Sequence, residues 1–330
     1  MSLSKTIRDI THFLYWYLKR ANQAKATMGE ETITDLLSIE LKTILPSVSG
    51  MSTSYVQCNK NTEKKTGSDF LWYIYSTKTK KYVGLYVQAK KSPHDNGKCD
   101  LSHNYKTGVT IGSFSSKRQV DNLIYKAKNA KAIPLYCVYN CLDKHYISST
   151  NQPPYLSAQG WPKNLTEPKE FSFTYVNAKN VQSLLNQPMK HQKTKTRRTF
   201  DFEEIKEMPF YSLFSNQDSK NPNRDITKTI IENATIMSEG LDKDQYLLDS
   251  LPEEFKKLLK GGQKYVQTLD NSTKKSLPTH VLLTETDQEF SKDISKDISE
   301  EFTEDISEEQ SQEDSYLRFL IDYWIYYCLK

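Results

Sequence analysis

The chain has 330 residues and a mass of 38.3 kDa, which is more than one hydrophobic core usually serves, so we expect a principal domain with accessory segments. Hydrophobic residues make up 37% and charged residues 26%, a balance that excludes a wholly disordered chain. No window holds the roughly 18 uncharged apolar residues of a membrane span, so we expect no membrane partner. The five scattered cysteines form no Cys-x-x-Cys pair and no signal peptide pattern opens the sequence, which together favour a cytoplasmic protein.

The net charge of +4 conceals two halves of opposite sign. Residues 1–200 carry 30 lysines and arginines against 13 acidic residues, a balance of +17. Residues 201–330 carry 15 against 28, a balance of −13. A basic region of this size attracts polyanions, so we expect nucleic acid to bind the first half. Lysine-rich surfaces also occur in polar proteins that bind no nucleic acid, and charge alone does not separate the two cases.

Helices and strands are predicted in alternation over the first 140 residues. Apolar residues at helical spacing predict an amphipathic helix over about residues 3–22, within an N-terminal segment 1–28. Gly29-Glu30-Glu31-Thr32 begins a second helix, which Pro46 ends. The remaining predicted elements are strands at 53–59, 69–76 and 81–90, a helix at 115–131 and a buried strand at 133–139. The order helix, three strands, helix, strand predicts an α/β core in a domain spanning residues 29–185.

The second half of the sequence has weaker patterns. Residues 186–284 are predicted to be a basic linker (KHQKTKTRR) and a helical region that includes LPEEFKKLLK. Residues 285–330 form an acidic low-complexity tail and a C-terminal amphipathic segment. Between Glu285 and Asp314 there are 13 acidic residues and two lysines. This tail is either a solvated segment or a competitor for nucleic acid that folds back over the basic half.

Polar side chains are predicted to meet at one end of a hairpin formed by the strands at 69–76 and 81–88. If Ser76 faces Lys81 across the turn, Asp69 faces Gln88, with their Cβ atoms roughly 5 Å apart. Lys90 lies two residues beyond Gln88 and therefore on the same face of the strand. The plain alternative is a strand end where polar residues merely meet solvent.

This set of residue types suits metal-assisted hydrolysis of a phosphodiester. A carboxylate and an amide oxygen, from Asp69 and Gln88, are ligands that Mg²⁺ or Mn²⁺ accepts, and the ammonium of Lys90 would steady the charge that develops in the transition state. His94, Cys99 and His103 form an alternative zinc set, but no fourth ligand follows at a familiar spacing. The sequence contains neither a phosphate-binding Gly-x-x-x-x-Gly-Lys loop nor a Gly-x-Ser-x-Gly elbow.

The order of elements and the Asp69, Gln88 and Lys90 pattern resemble the PD-(D/E)XK restriction-endonuclease-like superfamily. The likeness is greatest to branches with Gln-x-Lys in place of Glu-x-Lys, such as type IV restriction enzymes and an uncharacterised bacterial branch. The segments that carry it, in chain order, are GEETITDLL, KTGSDFLWYI, GLYVQAKK and RQVDNLIYKAKNAKAIPLYCVYN. The resemblance covers residues 29–141, under half of the chain.

The resemblance implies a role for each matching position. Asp69 corresponds to the metal-binding aspartate, Gln88 takes the place of the second acidic ligand, and Lys90 corresponds to the catalytic lysine. Many members add a glutamate from the first core helix, and Glu30 is favoured over Glu31 because it lies three residues before the inward-facing Ile33.

Two further positions and two functional hypotheses follow from the same resemblance. Gln119 and Tyr139 lie where related nucleases often place residues that line the active site. The first hypothesis is a metal-dependent endonuclease that acts on DNA, with restriction or phage defence as the expected role. The second is a catalytically inactive nucleic-acid-binding or scaffold protein that keeps the nuclease fold, because a neutral amide at Gln88 binds a divalent cation less strongly than a carboxylate.

Overall fold

The structure is a computed structural model, and it describes most of the first 286 residues. The described ranges, all in the unit Met1–Phe290, are 2–47, 51–58, 69–92, 98–111, 114–142, 167–187, 199–215, 224–236, 243–274 and 277–286. The predicted basic linker at 190–198, His94 and residues 287–330 of the predicted tail lie outside them.

Two helices open the chain as their apolar spacing predicts. Helix α1 spans Leu3–Gln23, and the Ser2 side chain caps it by accepting a hydrogen bond from the Lys5 backbone amide. Helix α2 spans Glu30–Ile44 and begins with two glutamates, whose charge suits the positive end of the helix dipole. Each helix buries one apolar stripe, so both pack on the same core.

The remaining elements alternate between strands and helices. The strands are β1 Met51–Gln57, β2 Phe70–Ser76, β3 Lys81–Lys91, β4 Lys98–Asp100, β5 Asn104–Ile111, β6 Phe114–Arg118, β7 Ile133–Tyr139, β8 Phe173–Asn177, β9 Thr199–Asp201, β10 Met208–Pro209 and β11 His280–Thr286. The helices after α2 are α3 Gln119–Asn129, α4 Ala178–Asn186, α5 Phe202–Ile205, α6 Ile226–Thr235, α7 Glu253–Thr268 and α8 Asn271–Lys274. Among the described residues, no helix has the length and apolar content needed to cross a bilayer.

A mixed seven-stranded sheet with the order β1-β11-β2-β3-β7-β8-β10 forms the centre of the fold. Strand β3 lies antiparallel to β2 and parallel to β7. Ser76 pairs with Lys81 and Phe70 with Val87, so the predicted register of the hairpin is confirmed. The predicted α/β class is also confirmed, since helices cover both faces of this sheet.

Strand β11 corrects the prediction that residues 186–284 are linker and helix. It lies between β1 and β2, antiparallel to the first and parallel to the second. Of the first three predicted strands, β2 and β3 are therefore neighbours in the sheet, whereas β1 is separated from β2 by β11. Glu285 and Thr286, predicted to belong to the acidic tail, are the last two residues of this strand. Its pairing partners lie more than 200 residues earlier in the chain, and local periodicity carries no information about such distant pairs.

Helix α3 is shorter than predicted. The prediction began it at residue 115, but the structure forms β6 up to Arg118 and starts the helix at Gln119. Strand β6 pairs with β5 in a separate two-stranded sheet. Residues up to Arg118, which were predicted to be helical, therefore belong to this strand. The difference matters for the site because it puts Gln119 in the first turn of α3.

Two apolar layers cover the sheet. Helices α1, α2 and α6 pack on one face with the aromatic turn Phe210–Phe214. Helices α3, α4 and α7 pack on the other face. Along β2, Phe70 and Trp72 point to the α2 face, whereas Leu71 and Tyr73 point to the α3 face, as strand alternation requires. The end of the sheet between α2 and α3 is where the candidate site lies.

Candidate functional site

The start of β2 and the end of β3 bring Asp69 and Gln88 into direct contact. The Asp69 backbone amide donates to the Val87 carbonyl at 2.9 Å, which extends the ladder by one residue beyond Phe70. Nε2 of Gln88 donates to Oδ2 of Asp69 at 2.6 Å, and the backbone amide of Ala89 donates to the same oxygen at 2.6 Å. Only 4% of Asp69 and none of Gln88 is exposed, so these hydrogen bonds form in an environment of low dielectric.

The nitrogen of the Gln88 amide faces Asp69, whereas the sequence prediction has its oxygen and the Asp69 carboxylate share one cation. The same nitrogen also donates to the Ala89 carbonyl at 3.1 Å. The Gln88 oxygen accepts from Nε2 of Gln119 at 2.9 Å. Without a cation between them, a carboxylate and an amide oxygen would repel each other, so the donor end of the amide turns to the carboxylate.

Lys90 and Glu30 form an ion pair beside this buried contact. Nζ of Lys90 lies 3.3 Å from Oε1 of Glu30, and the Lys91 backbone amide donates to the other carboxylate oxygen at 3.2 Å. The side chains of Lys90 and Glu30 are 13% and 25% exposed, so solvent reaches this part of the site. The Lys91 side chain turns away and donates to the Met28 carbonyl.

The first turn of α2 distinguishes the two candidate glutamates. Glu30 reaches the end of β3, whereas the neighbouring Glu31 is exposed. The structure therefore joins Glu30 to Lys90 and Gln119 to Gln88. Glu31 stays outside this group.

Tyr139 lies on the α2 side of the sheet. Its hydroxyl is 3.0 Å from Oγ1 of Thr34 on α2, and its side chain is fully buried. Burial raises the pKa of this hydroxyl well above its usual value, so Tyr139 is neutral at ordinary pH. The hydrogen bond to Thr34 connects Tyr139 to α2. The described hydrogen bonds do not join its side chain to Gln88 or Lys90.

The zinc alternative gains no support from the described residues. Cys99 is buried in β4, and burial raises the pKa of its thiol well above the usual value, whereas zinc binds the thiolate. His103 is exposed and His94 lies outside the described residues. In the described part of the chain, no three His, Cys, Asp or Glu side chains are grouped as a metal site requires.

A buried carboxyl group, which the sequence did not predict, lies beside β8. Glu207 is fully buried, and its Oε2 accepts hydrogen bonds from Oγ1 of Thr174 at 2.5 Å and from Nδ2 of Asn140 at 2.9 Å. Burial raises its pKa to about 7, although both hydrogen bonds oppose the rise. The segment KEMPF has no pattern that marks its glutamate as buried, so only the tertiary structure identifies this group.

The donor atoms around Asp69 are oxygens, the kind that a hard divalent cation prefers, although no three His, Cys, Asp or Glu side chains are grouped there among the described residues. Oδ2 of Asp69 and the carbonyl of Ala89 both face the Gln88 nitrogen, which takes the contacts that a cation would make with two oxygens. Glu30, which contacts Lys90 and the Lys91 backbone amide, offers a carboxylate at the same end of β3, and all of these donors are oxygen atoms, as Mg²⁺ and Mn²⁺ prefer. Within the described residues, the buried Oε1 of Gln119 has no hydrogen-bond partner, which indicates that the polar network is incomplete.

A basic cavity lies at the opposite end of α3. Its volume is about 660 Å³, and its lining includes three lysines and one aspartate, together with Tyr246 and Leu248; the charged residues are Lys128, Lys131, Lys179 and Asp249. The three lysines have no ion-pair partner among the described residues. Helix α3 runs from Gln119 in the candidate site to Asn129 beside this cavity, a length of about 15 Å at 1.5 Å per residue.

The chain matches a family of unknown function (DUF6615) over residues 3–314 and belongs to that family. No curated protein and no solved structure matches the chain.

Proposed function

We propose that this member of DUF6615 is a metal-dependent nuclease that hydrolyses phosphodiester bonds in DNA, with a restriction-endonuclease-like core of the PD-(D/E)XK type. One observation carries the proposal: Asp69 contacts Gln88 and Glu30 contacts Lys90, and these two pairs, drawn from three separate elements, lie at the end of β3. Buried polar groups are costly without a purpose, and this cluster is enclosed on the Asp69 side and open on the Lys90 side.

The arrangement of elements around the site supports this kind of core. Helix α2 covers one face and α3 the other, while β3 runs antiparallel to β2 and parallel to β7. The polar residues come from the first turn of α2, the start of β2, the end of β3 and the first turn of α3. In this view β11 is an insertion between β1 and β2 that leaves the site-bearing strands adjacent.

Asp69, Glu30 and Gln88 would hold Mg²⁺ or Mn²⁺, with the Ala89 carbonyl as a further oxygen donor. The bound ion supplies a Lewis acid and a water of lowered pKa. Lys90 extends from the same strand, and its ammonium would face the phosphate and balance the negative charge that grows as the bond breaks. Glu30 holds this ammonium in place, and the low dielectric around the buried Asp69 strengthens the contacts of its carboxylate.

The basic cavity supplies a contact for the nucleic-acid backbone away from the reaction. Lys128, Lys131 and Lys179 concentrate positive charge about 15 Å from Gln119 along α3. Because phosphates repeat along a strand, a backbone that enters the site can reach a second group of cations at this distance. The excess of basic residues in the first 200 positions points in the same direction.

One observation favours a second candidate, a catalytically inactive nucleic-acid-binding or scaffold protein. The Gln88 nitrogen satisfies Asp69 without any metal. The two candidates differ in cleavage of plasmid and single-stranded DNA by the wild type and by Asp69→Ala, with Mg²⁺ or Mn²⁺ and with a chelator. Metal-dependent cleavage that Asp69→Ala abolishes supports the nuclease, and a role in restriction or phage defence then becomes the expected setting. DNA binding without cleavage under any metal supports the second candidate.

A further inference from the structure

We propose that Gln119 is a positioning residue that sets which end of the Gln88 amide faces Asp69, and that cation binding turns both amides over together. This inference rests on the proposed metal-dependent function. It concerns the conditions under which the Gln88 oxygen becomes a ligand of the cation.

The hydrogen bonds in the site run in one direction. Gln119 donates to the Gln88 oxygen at 2.9 Å, and Gln88 in turn donates to Asp69 at 2.6 Å. Gln88 is fully buried and Gln119 is 3% exposed, so water does not replace a lost partner readily. The orientation of one amide therefore determines the orientation of the next.

The unpartnered oxygen of Gln119 makes a second arrangement available. If both amides turn over, Nε2 of Gln88 donates to Oε1 of Gln119, the buried atom that has no partner among the described residues. The bond between the two glutamines is kept with its direction reversed. Oε1 of Gln88 then faces Asp69, and the Asp69 and Ala89 oxygens that the Gln88 nitrogen occupied are released.

The cation decides which arrangement is populated. Without it, turning the amides loses two hydrogen bonds from the Gln88 nitrogen, one of them to a carboxylate. With it, the same turn supplies an additional oxygen donor and removes the nitrogen from the contact between cation and carboxylate. Because the competent arrangement is a minor one in the free protein, the apparent affinity for the cation is reduced by its fractional population.

Gln119→Glu tests this coupling, because a carboxylate accepts hydrogen bonds and donates none. The substitution removes the donor that holds the Gln88 oxygen and offers an acceptor to the Gln88 nitrogen. We expect Mn²⁺ to bind at least tenfold more tightly to full-length Gln119→Glu than to the wild type, measured by titration calorimetry. The added negative charge also attracts Mn²⁺, so the charge effect needs its own control.

A double-mutant cycle with Gln88→Met separates the two effects. In the Gln88→Met background the amide at position 88 is absent, and Gln119→Glu then acts through charge alone. We expect the gain in Mn²⁺ affinity to be at least threefold larger with Gln88 present than in that background. Equal gains in both backgrounds, or no gain in either, would overturn the amide exchange while leaving the metal centre in place. If the wild type binds no Mn²⁺, both the exchange and the proposed nuclease function are overturned.

A measurement on the wild type keeps the inference testable if Gln119→Glu does not fold. The side-chain NH₂ resonances of Gln88 and Gln119 are followed by NMR during titration with diamagnetic Mg²⁺, with Gln119→Met used to assign the second resonance. We expect both NH₂ groups to change together at one midpoint, since the Gln88 nitrogen exchanges its acceptor and the Gln119 nitrogen gives up the Gln88 oxygen. A Gln88 resonance that moves while the Gln119 resonance keeps its hydrogen-bonded shift would overturn the exchange.

Discussion

Nζ of Lys90 lies 3.3 Å from Oε1 of Glu30, although the two residues are 60 positions apart in the chain. Lys90 is the second-to-last residue of β3, and Glu30 is the first residue of α2. The helix that covers one face of the sheet thus holds the lysine that extends from the end of β3. Because Glu30 is 25% exposed and Lys90 13%, this pair lies at the opening of the site, where a phosphate would enter.

Glu30→Gln should slow metal-dependent cleavage by about 10- to 100-fold, the usual effect of removing a group that supports a metal site. The substitution keeps the size of the side chain but removes the charge that holds Lys90 and helps to bind the cation. Glu31→Gln is the matched control, since Glu31 occupies the next position and is exposed. Cleavage rates of the two variants over a range of Mn²⁺ concentrations provide the check. Equal rates would remove Glu30 from the site.

Gln88→Glu should destabilise the metal-free protein and make its stability depend on Mn²⁺. The new carboxylate would lie beside Asp69 in a buried place, and we expect a loss of ~2–4 kcal/mol in the free energy of unfolding at neutral pH. Saturating Mn²⁺ should restore much of this loss, so the metal-induced rise in Tm should exceed that of the wild type. Gln263→Glu, which adds the same charge on α7, should show no larger rise than the wild type. A metal response equal to that of the control would argue that Gln88 does not face the cation.

Glu207→Gln should stabilise the protein at pH 8 and change little at pH 5. Burial raises the pKa of Glu207 to about 7 in the folded protein, above its value in the unfolded chain, so the folded state binds this proton more tightly. Stability is therefore lost as the pH rises from the unfolded pKa through about 7. The full effect is on the order of 3 kcal/mol at pH 8. Unfolding by urea at several pH values measures it, with the exposed Glu204→Gln as control, and a wild-type stability independent of pH between 5 and 8 would contradict the prediction.

The double substitution Lys128→Glu with Lys179→Glu should weaken DNA binding about tenfold at low salt and reduce its salt dependence. Both lysines line the basic cavity at the far end of α3. Lys257→Glu with Lys260→Glu, applied to two exposed lysines of α7 that do not line the cavity, controls for the same loss of positive charge. Fluorescence anisotropy with a labelled oligonucleotide over a series of salt concentrations gives both quantities. An equal loss in the control would mean that the cavity has no special role.

The hairpin and the pairing at its end could be predicted because they depend on neighbouring residues. Alternating β-branched and aromatic residues on each side of a four-residue turn fix the register, and the register fixes which residue faces Asp69. The identity of Gln88 as that residue follows directly. Which end of the Gln88 amide faces Asp69 could not be predicted from the hairpin, because the Gln88 oxygen accepts a hydrogen bond from Gln119 of α3.

The features that escaped prediction depend on contacts between distant parts of the chain. Strand β11 lies between β1 and β2, whose residues are more than 200 positions earlier in the chain. Glu207 resembles any surface glutamate in the sequence, and its burial follows from the packing of β10 against β8. Helix α3 begins at Gln119 because β6 pairs with β5. In each case a tertiary contact overrides the local pattern.

The cleavage rate of Lys90→Met under single-turnover conditions tests the proposed nuclease most directly. DNA binding is measured in parallel, and Lys91→Met serves as the matched control because the Lys91 side chain donates to the Met28 carbonyl, whereas that of Lys90 pairs with Glu30. An ammonium that acts mainly on the transition state should raise the cleavage rate about 100-fold or more and change the affinity for DNA little. We predict that Lys90→Met binds DNA with near wild-type affinity but cleaves it at least about 100-fold more slowly, while Lys91→Met keeps most of its activity. Cleavage by Lys90→Met at the wild-type rate would contradict the proposed site.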